Sequence, residues 1–254
     1  MRHNSVRTKR NVNAEQALSG AIVNARRSPG APIREQQSGR IDRRRLSRVA
    51  LADNRVFTAK RGARPSKVRV TILVDASSSM RGLPSWTAEA QKLGISTINL
   101  AAQTCRNLAG ATDQLDWVTA NAVAFTTGGA GVLMGPLWKT GEDHEQIDKR
   151  LNVIRMGGTE EGYALAMAAD DLKDTLQPGE QPLVIILSDG GPSEPAHVKW
   201  VVQRMKEDGI PTVSVALTQS AEQPLMYGKE NVVTYNDNPR ALAKAMARVI
   251  GRVL

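Results

Sequence analysis

The chain of 254 residues is long enough for one large α/β domain with an appendage, or for two small domains. It has no run approaching the roughly 18 apolar residues of a membrane span, and its arginine-rich N-terminus lacks the apolar segment of a secretory signal. A single cysteine, Cys105, excludes an intrachain disulfide and favours a reducing compartment, so we expect a cytoplasmic protein. The alanine-rich surroundings of Cys105 predict a small buried helix residue and not a nucleophile.

The positive charge is concentrated at the N-terminus. Residues 1–66 carry 16 Lys and Arg against 4 Asp and Glu, whereas residues 67–254 carry 18 against 21. Low hydrophobicity and high charge predict that residues 1–66 are a basic, partly disordered arm and linker. Within it we expect a short helix over residues 14–25 and a helical pattern over 41–57. Residues 67–254 then form the α/β domain.

This second part alternates predicted strands and helices, which is typical of a doubly wound, mostly parallel sheet flanked by helices. Apolar, β-branched runs predict strands over residues 68–74, 117–126, 132–138, 182–187, 212–217 and 232–235. We expect residues 132–138 to pair back as an edge strand. Helical spacing of apolar residues predicts helices over residues 86–108 (with Gly110 as the stop), 143–154, 160–176, 195–207 and 239–253.

Three polar segments follow elements that would end at the same rim of such a sheet. They are Asp75-Ala76-Ser77-Ser78-Ser79, Gly157-Gly158-Thr159 and Ser188-Asp189-Gly190. Ligands of open parallel sheets bind beyond the carboxyl ends of the strands, where the strand order reverses. If the strands before Asp75 and Asp189 are neighbours there, both carboxylates face one crevice. We expect the two glycines to let the loop that carries Thr159 approach closely.

These segments offer two carboxylates and three hydroxyls, all hard oxygen donors. That set predicts a site for Mg²⁺, or another hard divalent cation such as Mn²⁺, made of Asp75, Ser77, Ser79, Thr159 and Asp189. Zinc is disfavoured because neither Cys nor paired His is available. The alternative is that all five are ordinary turn residues, with Thr159 as the N-cap of the following helix.

The three segments resemble the metal-ion-dependent adhesion site of von Willebrand factor type A domains. The D-x-S-x-S motif of that family stands here as Asp75, Ser77 and Ser79, the threonine of its G-G-T as Thr159, and the aspartate of its (S/T)-D-G as Asp189. The resemblance implies that Ser77 and Ser79 ligate the ion directly and Thr159 directly or through water. Asp75 and Asp189 would hold coordinated waters or bind the ion. It also implies that an acidic residue of another protein fills the open position.

A longer stretch resembles one branch of the family. Ser38-Gly39-Arg40-Ile41-Asp42 and Arg55-Val56-Phe57, followed by the strand and the metal motif, look like the C-terminal part of the cobaltochelatase von Willebrand-type subunit. The match covers about residues 38–254. It implies a ring-forming AAA+ ATPase of the MoxR or chelatase type as partner. This chain would then be the non-ATPase subunit of a chelatase or remodelling complex, not catalytic alone.

Enzymatic alternatives find little support. A phosphoryl-accepting Asp75 would require a second aspartate where Ser77 stands, and neither a G-x-S-x-G elbow nor a P-loop motif occurs. We predict no catalytic residues. His3, His144 and His197 stand apart from one another and are predicted to be surface residues.

The basic arm leaves a second function open. Arg43, Arg44 and Arg45, with Arg40 and Arg48, are spaced to line a helix face against phosphates, as in a nucleic-acid-associated binding protein. Aromatic side chains for stacking on bases are missing from the arm apart from Phe57. A solvated tail, or a docking segment for an acidic protein, fits the same composition.

Overall fold

A computed structural model describes residues 5–27, 33–36, 40–41, 57–59, 67–82, 95–218 and 220–235, together with 245–246 and 248–249. Its helices are α1 (Val12–Arg27), α2 (Thr97–Asp113), α3 (Glu145–Val153), α4 (Glu161–Thr175), α5 (Pro195–Glu207) and α6 (Gln223–Tyr227). Its strands are β1 (Ile33–Gln36), β2 (Arg40–Ile41), β3 (Phe57–Ala59), β4 (Lys67–Asp75), β5 (Val118–Gly128), β6 (Gly131–Lys139), β7 (Glu180–Ser188), β8 (Thr212–Ala216) and β9 (Val232–Thr234).

The central sheet is doubly wound. Its strands lie in the order β6-β5-β4-β7-β8-β9, all parallel except the antiparallel edge strand β6. The chain first builds outwards from β4 to β6 and then returns to continue on the other side with β7. The strand order therefore reverses between the neighbours β4 and β7, where Val74 pairs with Leu187. The predicted fold class and the edge strand are confirmed.

Helices cover both faces of this sheet. One core cluster joins the sheet to α1, α2 and α3, and a second joins it to α4, α5 and α6. Strands β4 and β7 are buried over most of their length because both of their faces are covered, which explains their continuous apolar sequence. None of the helices among the described residues combines the length and the apolar composition that crossing a membrane requires.

Helix α2 differs from its predicted bounds. Ser96, just before it, has extended backbone angles (φ −72°, ψ 158°), and the helix starts at Thr97 instead of residue 86; residues 86–94 lie outside the described part. Gly110 does not end the helix, which continues to Asp113. A Cβ atom at Gly110 would lie 2.5 Å from Cδ of Glu15, so this glycine permits close packing of α1 on α2.

The N-terminal segment packs on the domain through the helix that we predicted within the arm. Leu18 and Ile22 of α1 lie in the first core cluster at 2% and 5% exposure. The carboxylate of Glu15 is buried and pairs with the Arg10 guanidinium at 3.2 Å. The average hydrophobicity of residues 1–66 is low. Ala14, Leu18 and Ile22 are nevertheless spaced four residues apart and form an apolar stripe on one face of the helix. The helix predicted over residues 14–25 is confirmed.

Polar contacts fix the residues before α1 as well. The Thr8 backbone N–H and hydroxyl both donate to the Asp148 carboxylate of α3, at 2.7 and 2.8 Å. The Arg106 guanidinium of α2 donates to the Thr8 carbonyl at 3.2 Å, and Asn152 exchanges two hydrogen bonds with the Val6 backbone. This segment therefore ties α2 to α3.

The structure describes only part of the arm, so the other predictions for it are tested only in part. Residues 40–41 and 57–59, the ends of the stretch predicted to be helical over 41–57, are strands of a small antiparallel sheet with the order β1-β3-β2. Residues 42–56, which include Arg43–Arg45, and the predicted linker 61–66 lie outside the described residues. Of the predicted terminal helix 239–253, the four described residues are helical. The domain boundary at residue 66 stays a prediction.

Docking of α1 can be tested by truncating a core residue. Leu18→Ala should lower the free energy of unfolding by about 2–5 kcal/mol because it leaves a cavity. Val12→Ala is the matched control: Val12 lies in the same helix at 45% exposure, and we expect a change within about 0.5 kcal/mol. Chemical denaturation measures both values. Equal, small effects would show that α1 contributes nothing to the fold.

Candidate metal centre

The predicted site lies at the carboxyl ends of β4 and β7, where the strand order reverses. Asp75 is the last residue of β4, and the pairing of Val74 with Leu187 places Ser188 and Asp189 beside it. The predicted neighbourhood of the two carboxylate-bearing turns is therefore present. Their proximity follows from the parallel register and not from any direct contact between the segments.

The first segment folds into a tight turn. The Asp75 Oδ1 atom accepts a hydrogen bond from the Ser77 N–H at 2.8 Å, and the hydroxyl oxygens of Ser77 and Ser79 lie 2.9 Å apart. A single 3₁₀ turn over Ser78–Arg81 follows, anchored by the buried Met80. These contacts gather three of the predicted oxygen donors into one cluster.

The second segment reaches the first through backbone contacts. The Ser78 N–H donates to the Gly157 carbonyl at 2.8 Å, and Gly158 pairs with Thr127 of β5. A Cβ atom at Gly157 would lie 1.8 Å from the Thr127 carbonyl oxygen, so only glycine fits there. At Gly158 the nearest contact would be an ordinary 3.5 Å. The expected role in close approach thus belongs to Gly157.

The third segment is held to the second. The Ser193 N–H and hydroxyl donate to the Thr159 carbonyl at 3.1 and 2.8 Å. Gly190 turns the chain with a φ of +80°, and its N–H donates to the Ser188 hydroxyl at 2.9 Å. The Thr218 hydroxyl donates to the Asp189 carbonyl. The structure therefore brings the segments of all five predicted ligands to one rim.

Thr159 is not a helix cap. The N-cap position of α4 belongs to Glu160, and no side-chain capping hydrogen bond is formed there. The Thr159 side chain is only 7% exposed. The alternative interpretation of Thr159 as an N-cap residue is therefore wrong.

Among the residues that the structure describes, none supplies a counter-charge to the Asp75 carboxylate. Asp75 is fully buried, and its Oδ2 atom has no hydrogen-bond partner in the described part of the chain. Burial, and next the negative charge of Asp189, raise its pKa to about 8 despite the hydrogen bonds from Ser77. A buried carboxylate is stable in its charged form only when paired or bound to a cation. This unpartnered oxygen, beside hydroxyls, fits a hard divalent cation.

Carboxylates and imidazoles alone would not make the site. Among the described residues, no group of three or more His, Cys, Asp or Glu side chains is arranged to hold a metal. Any coordination at this rim by the described residues would therefore draw on hydroxyl oxygens as well, such as those of Ser77 and Ser79. Oxygen donors of this kind suit a hard divalent cation.

A buried support for the rim was missed in the sequence. Glu161 is fully buried and accepts hydrogen bonds from the Ser188 hydroxyl (2.9 Å to Oε2) and the Tyr227 hydroxyl. Burial raises the pKa of Glu161. Its spacing from the buried Leu165 and Leu172 places it on the inner face of α4, a signal that was available. Glu161 links the second segment, the third segment and α6.

The remaining candidate residues are structural. Cys105 is buried, as predicted, and burial raises the pKa of its thiol. His144 and His197 are half-buried instead of exposed. The His144 ring lies 3.0 Å from Oδ2 of Asp113, and His197 packs edge-on against Tyr163 at a centroid distance of 4.5 Å.

Solved structures share this fold at low sequence identity. The manganese-loaded TRAP protein of Plasmodium vivax is 18% identical with a TM-score of 0.52, over 74% of this chain and 73% of its own. The VWA domain of SpRpn10 is 12% identical with a TM-score of 0.52, over 70% and 93%. PTMP1 of the mussel byssus, with zinc in its MIDAS motif, is 18% identical with a TM-score of 0.50, over 74% and 48%.

No family model and no curated protein matches the sequence. The fold of this chain is that of a von Willebrand factor type A domain.

Proposed function

We propose that this chain is a protein-binding domain that depends on a divalent cation. Asp75, Ser77, Ser79, Thr159 and Asp189 would hold Mg²⁺ or Mn²⁺. The ion would supply a positive charge and an open coordination position for a carboxylate of a partner protein. Two acidic ligands leave such an ion electron-poor enough to attract that carboxylate.

The buried Asp75 carboxylate carries this proposal. No described residue gives its Oδ2 atom a hydrogen bond, and its neighbours are the hydroxyl cluster and a second carboxylate. Without a cation, this arrangement only costs stability, because a buried charge and a like charge face each other. Metal-loaded structures of the same fold, with manganese in one and zinc in another, support a divalent cation.

For the partner, we propose a ring-forming AAA+ ATPase of the MoxR or chelatase type. The support is the sequence resemblance of residues 38–42 and 55–57 to the cobaltochelatase von Willebrand-type subunit. The ATPase would supply the work of remodelling or metal insertion, and this chain would supply the metal-bridged contact.

Two adjacent serines make a matched test of this contact. Ser78 and Ser79 are both exposed in the same turn, but only Ser79 is a predicted ligand. The tagged chain is co-expressed with a MoxR-type ATPase and purified in Mg²⁺. We expect the ATPase to co-purify with wild type and Ser78→Ala, and to be lost with EDTA or Ser79→Ala. Retention through both treatments would contradict a metal-bridged contact.

Substitutions of Thr159 test whether its hydroxyl binds the metal or whether the residue only supports the fold. Thr159→Ala should weaken Mn²⁺ binding about tenfold or more, since one ligand is lost, while Thr159→Ser keeps the hydroxyl and the affinity. Thr159 is only 7% exposed, so truncating its side chain should lower the free energy of unfolding without metal by about 1 kcal/mol, the central value for single substitutions. Calorimetric titration and thermal unfolding measure the two quantities. Lower stability with unchanged Mn²⁺ affinity would remove Thr159 from the site.

A further inference from the structure

A groove runs from the metal rim along the outer side of α4. It encloses about 410 Å³ between α4 and the start of β6, which falls within the range of about 300–1,000 Å³ usual for ligand clefts. Its walls include the side chains of Val132, Glu160, Tyr163, Ala166, Met167 and Asp170. Glu160 follows Thr159 directly, so the groove opens beside the proposed metal.

The chemistry of the groove is apolar along its length and acidic at both ends. Tyr163 and Met167 are 53% and 47% exposed, although both are large side chains with apolar surface. Within the described residues, the Glu160 carboxylate has no hydrogen-bond or ion-pair partner. In the same part of the chain, the ion-pair partner of Asp170 is a distant Lys173 at 3.9 Å, and that ammonium contacts Asp208 at 2.7 Å.

This pattern matches one kind of side chain. A lysine or arginine has a long apolar stem, which would cover Met167, and a cationic end, which would pair with Glu160 or Asp170. The exposed ring of Tyr163 adds a face for cation–π contact. None of the described residues that line the groove is Lys or Arg, so these walls do not compensate the charge of Glu160 and Asp170.

We propose that the groove binds a lysine or arginine of the partner segment whose acidic residue reaches the metal. This inference rests on the proposed function. Helix geometry places Met167 about 9 Å and Asp170 about 14 Å beyond Glu161, the first residue of α4, along the helix axis. An extended chain covers about 3.3–3.6 Å per residue. The basic residue therefore lies two to four positions from the acidic one.

A phage-displayed library of random 12-residue peptides, selected on the Mn²⁺-loaded protein and eluted with EDTA, tests this spacing. We expect recovered peptides to pair Asp or Glu with Lys or Arg two to four positions away. A synthetic peptide of the recovered sequence should bind about tenfold more weakly to Asp170→Lys or Tyr163→Ala. Trp200→Ala is the control, because Trp200 is 65% exposed on α5 but does not line the groove.

Mn²⁺ titration of the same preparations separates the two levels of the proposal. Suppose that wild type and Asp170→Lys bind Mn²⁺ equally, but the selected peptides show no preference for Lys or Arg, or carry an apolar residue at that position. The inference about the groove is then wrong, while the metal site stands. If wild type binds no Mn²⁺, the proposed function fails and the inference fails with it.

Discussion

Asp75→Asn will stabilise the metal-free protein and abolish metal binding. The asparagine has the same shape, and its side-chain oxygen still accepts the Ser77 N–H bond. It removes the buried charge that the Asp75 carboxylate carries above its pKa of about 8. Opposite effects of one substitution on stability and on binding identify a residue that is kept for its ligand and not for the fold.

The magnitude follows from the linkage between protons and folding. Each pKa unit corresponds to about 1.4 kcal/mol. At pH 8 the ionisation of Asp75 therefore costs the folded state roughly 5 kcal/mol more than the unfolded chain, because its pKa rises from 3.8 to about 8. An unpaired amide N–H₂ offsets about 1–3 kcal/mol of the gain. We expect a net stabilisation of roughly 3 kcal/mol at pH 8.

The sign of the pH dependence is fixed by the raised pKa. Between about pH 4 and pH 8 the folded state holds a proton that the unfolded chain releases, so wild-type stability without metal falls as the pH rises. The advantage of Asp75→Asn should thus grow from pH 5 to pH 8. Urea denaturation in EDTA at both pH values measures it.

Asp116→Asn is the control, since Asp116 is exposed. It should change stability by less than about 0.5 kcal/mol at either pH. Mn²⁺ affinity should fall at least ~100-fold in Asp75→Asn, which exceeds the usual loss when a residue that only hydrogen-bonds to a metal ligand is replaced. It should stay unchanged in Asp116→Asn. A metal-free Asp75→Asn that is less stable than wild type would show that the carboxylate has a favourable partner in the fold.

The location of the rim was predictable because it depends on properties that the local sequence encodes. Continuous β-branched runs identify β4 and β7 as buried parallel strands. Parallel strands end at the same edge, so Asp75 and Asp189 had to converge once the two strands were neighbours. The need for glycine at Gly157 also follows from a loop that must approach another backbone.

The misses all depend on contacts between distant residues. Gly110 looks like a helix stop, but it lies inside α2 because Glu15, nearly a hundred residues earlier, packs on it. The low average hydrophobicity of residues 1–66 gave no sign that Leu18 and Ile22 of the predicted helix pack into the first core cluster. In the sequence, Glu161 looks like an ordinary acidic residue in the first turn of a helix. Its buried role follows only from its partners Ser188 and Tyr227. No local pattern reports such partners.

Metal affinity should rise steeply with pH up to about pH 8. The ion binds the ionised Asp75 carboxylate, whereas burial and Asp189 keep that carboxyl protonated below its pKa of about 8. Each ion bound below this pH must displace one proton, so the apparent affinity falls about tenfold per pH unit. Between pH 8 and pH 6 we expect a loss of about 100-fold, and little change above pH 8.5.

Calorimetric Mg²⁺ titrations at pH 6, 7, 8 and 9, each in two buffers of different ionisation enthalpy, measure affinity and proton release together. About one proton should leave per ion at pH 6 and 7, and almost none at pH 9. Glu161 is the other buried acid near Asp75, and burial also raises its pKa. Glu161→Gln must therefore keep the same pH slope if Asp75 is the group that titrates. An affinity that is constant from pH 6 to pH 8 would show that the ion does not require an ionised Asp75. If the affinity of Glu161→Gln no longer changed with pH, Glu161 and not Asp75 would be the group that releases the proton.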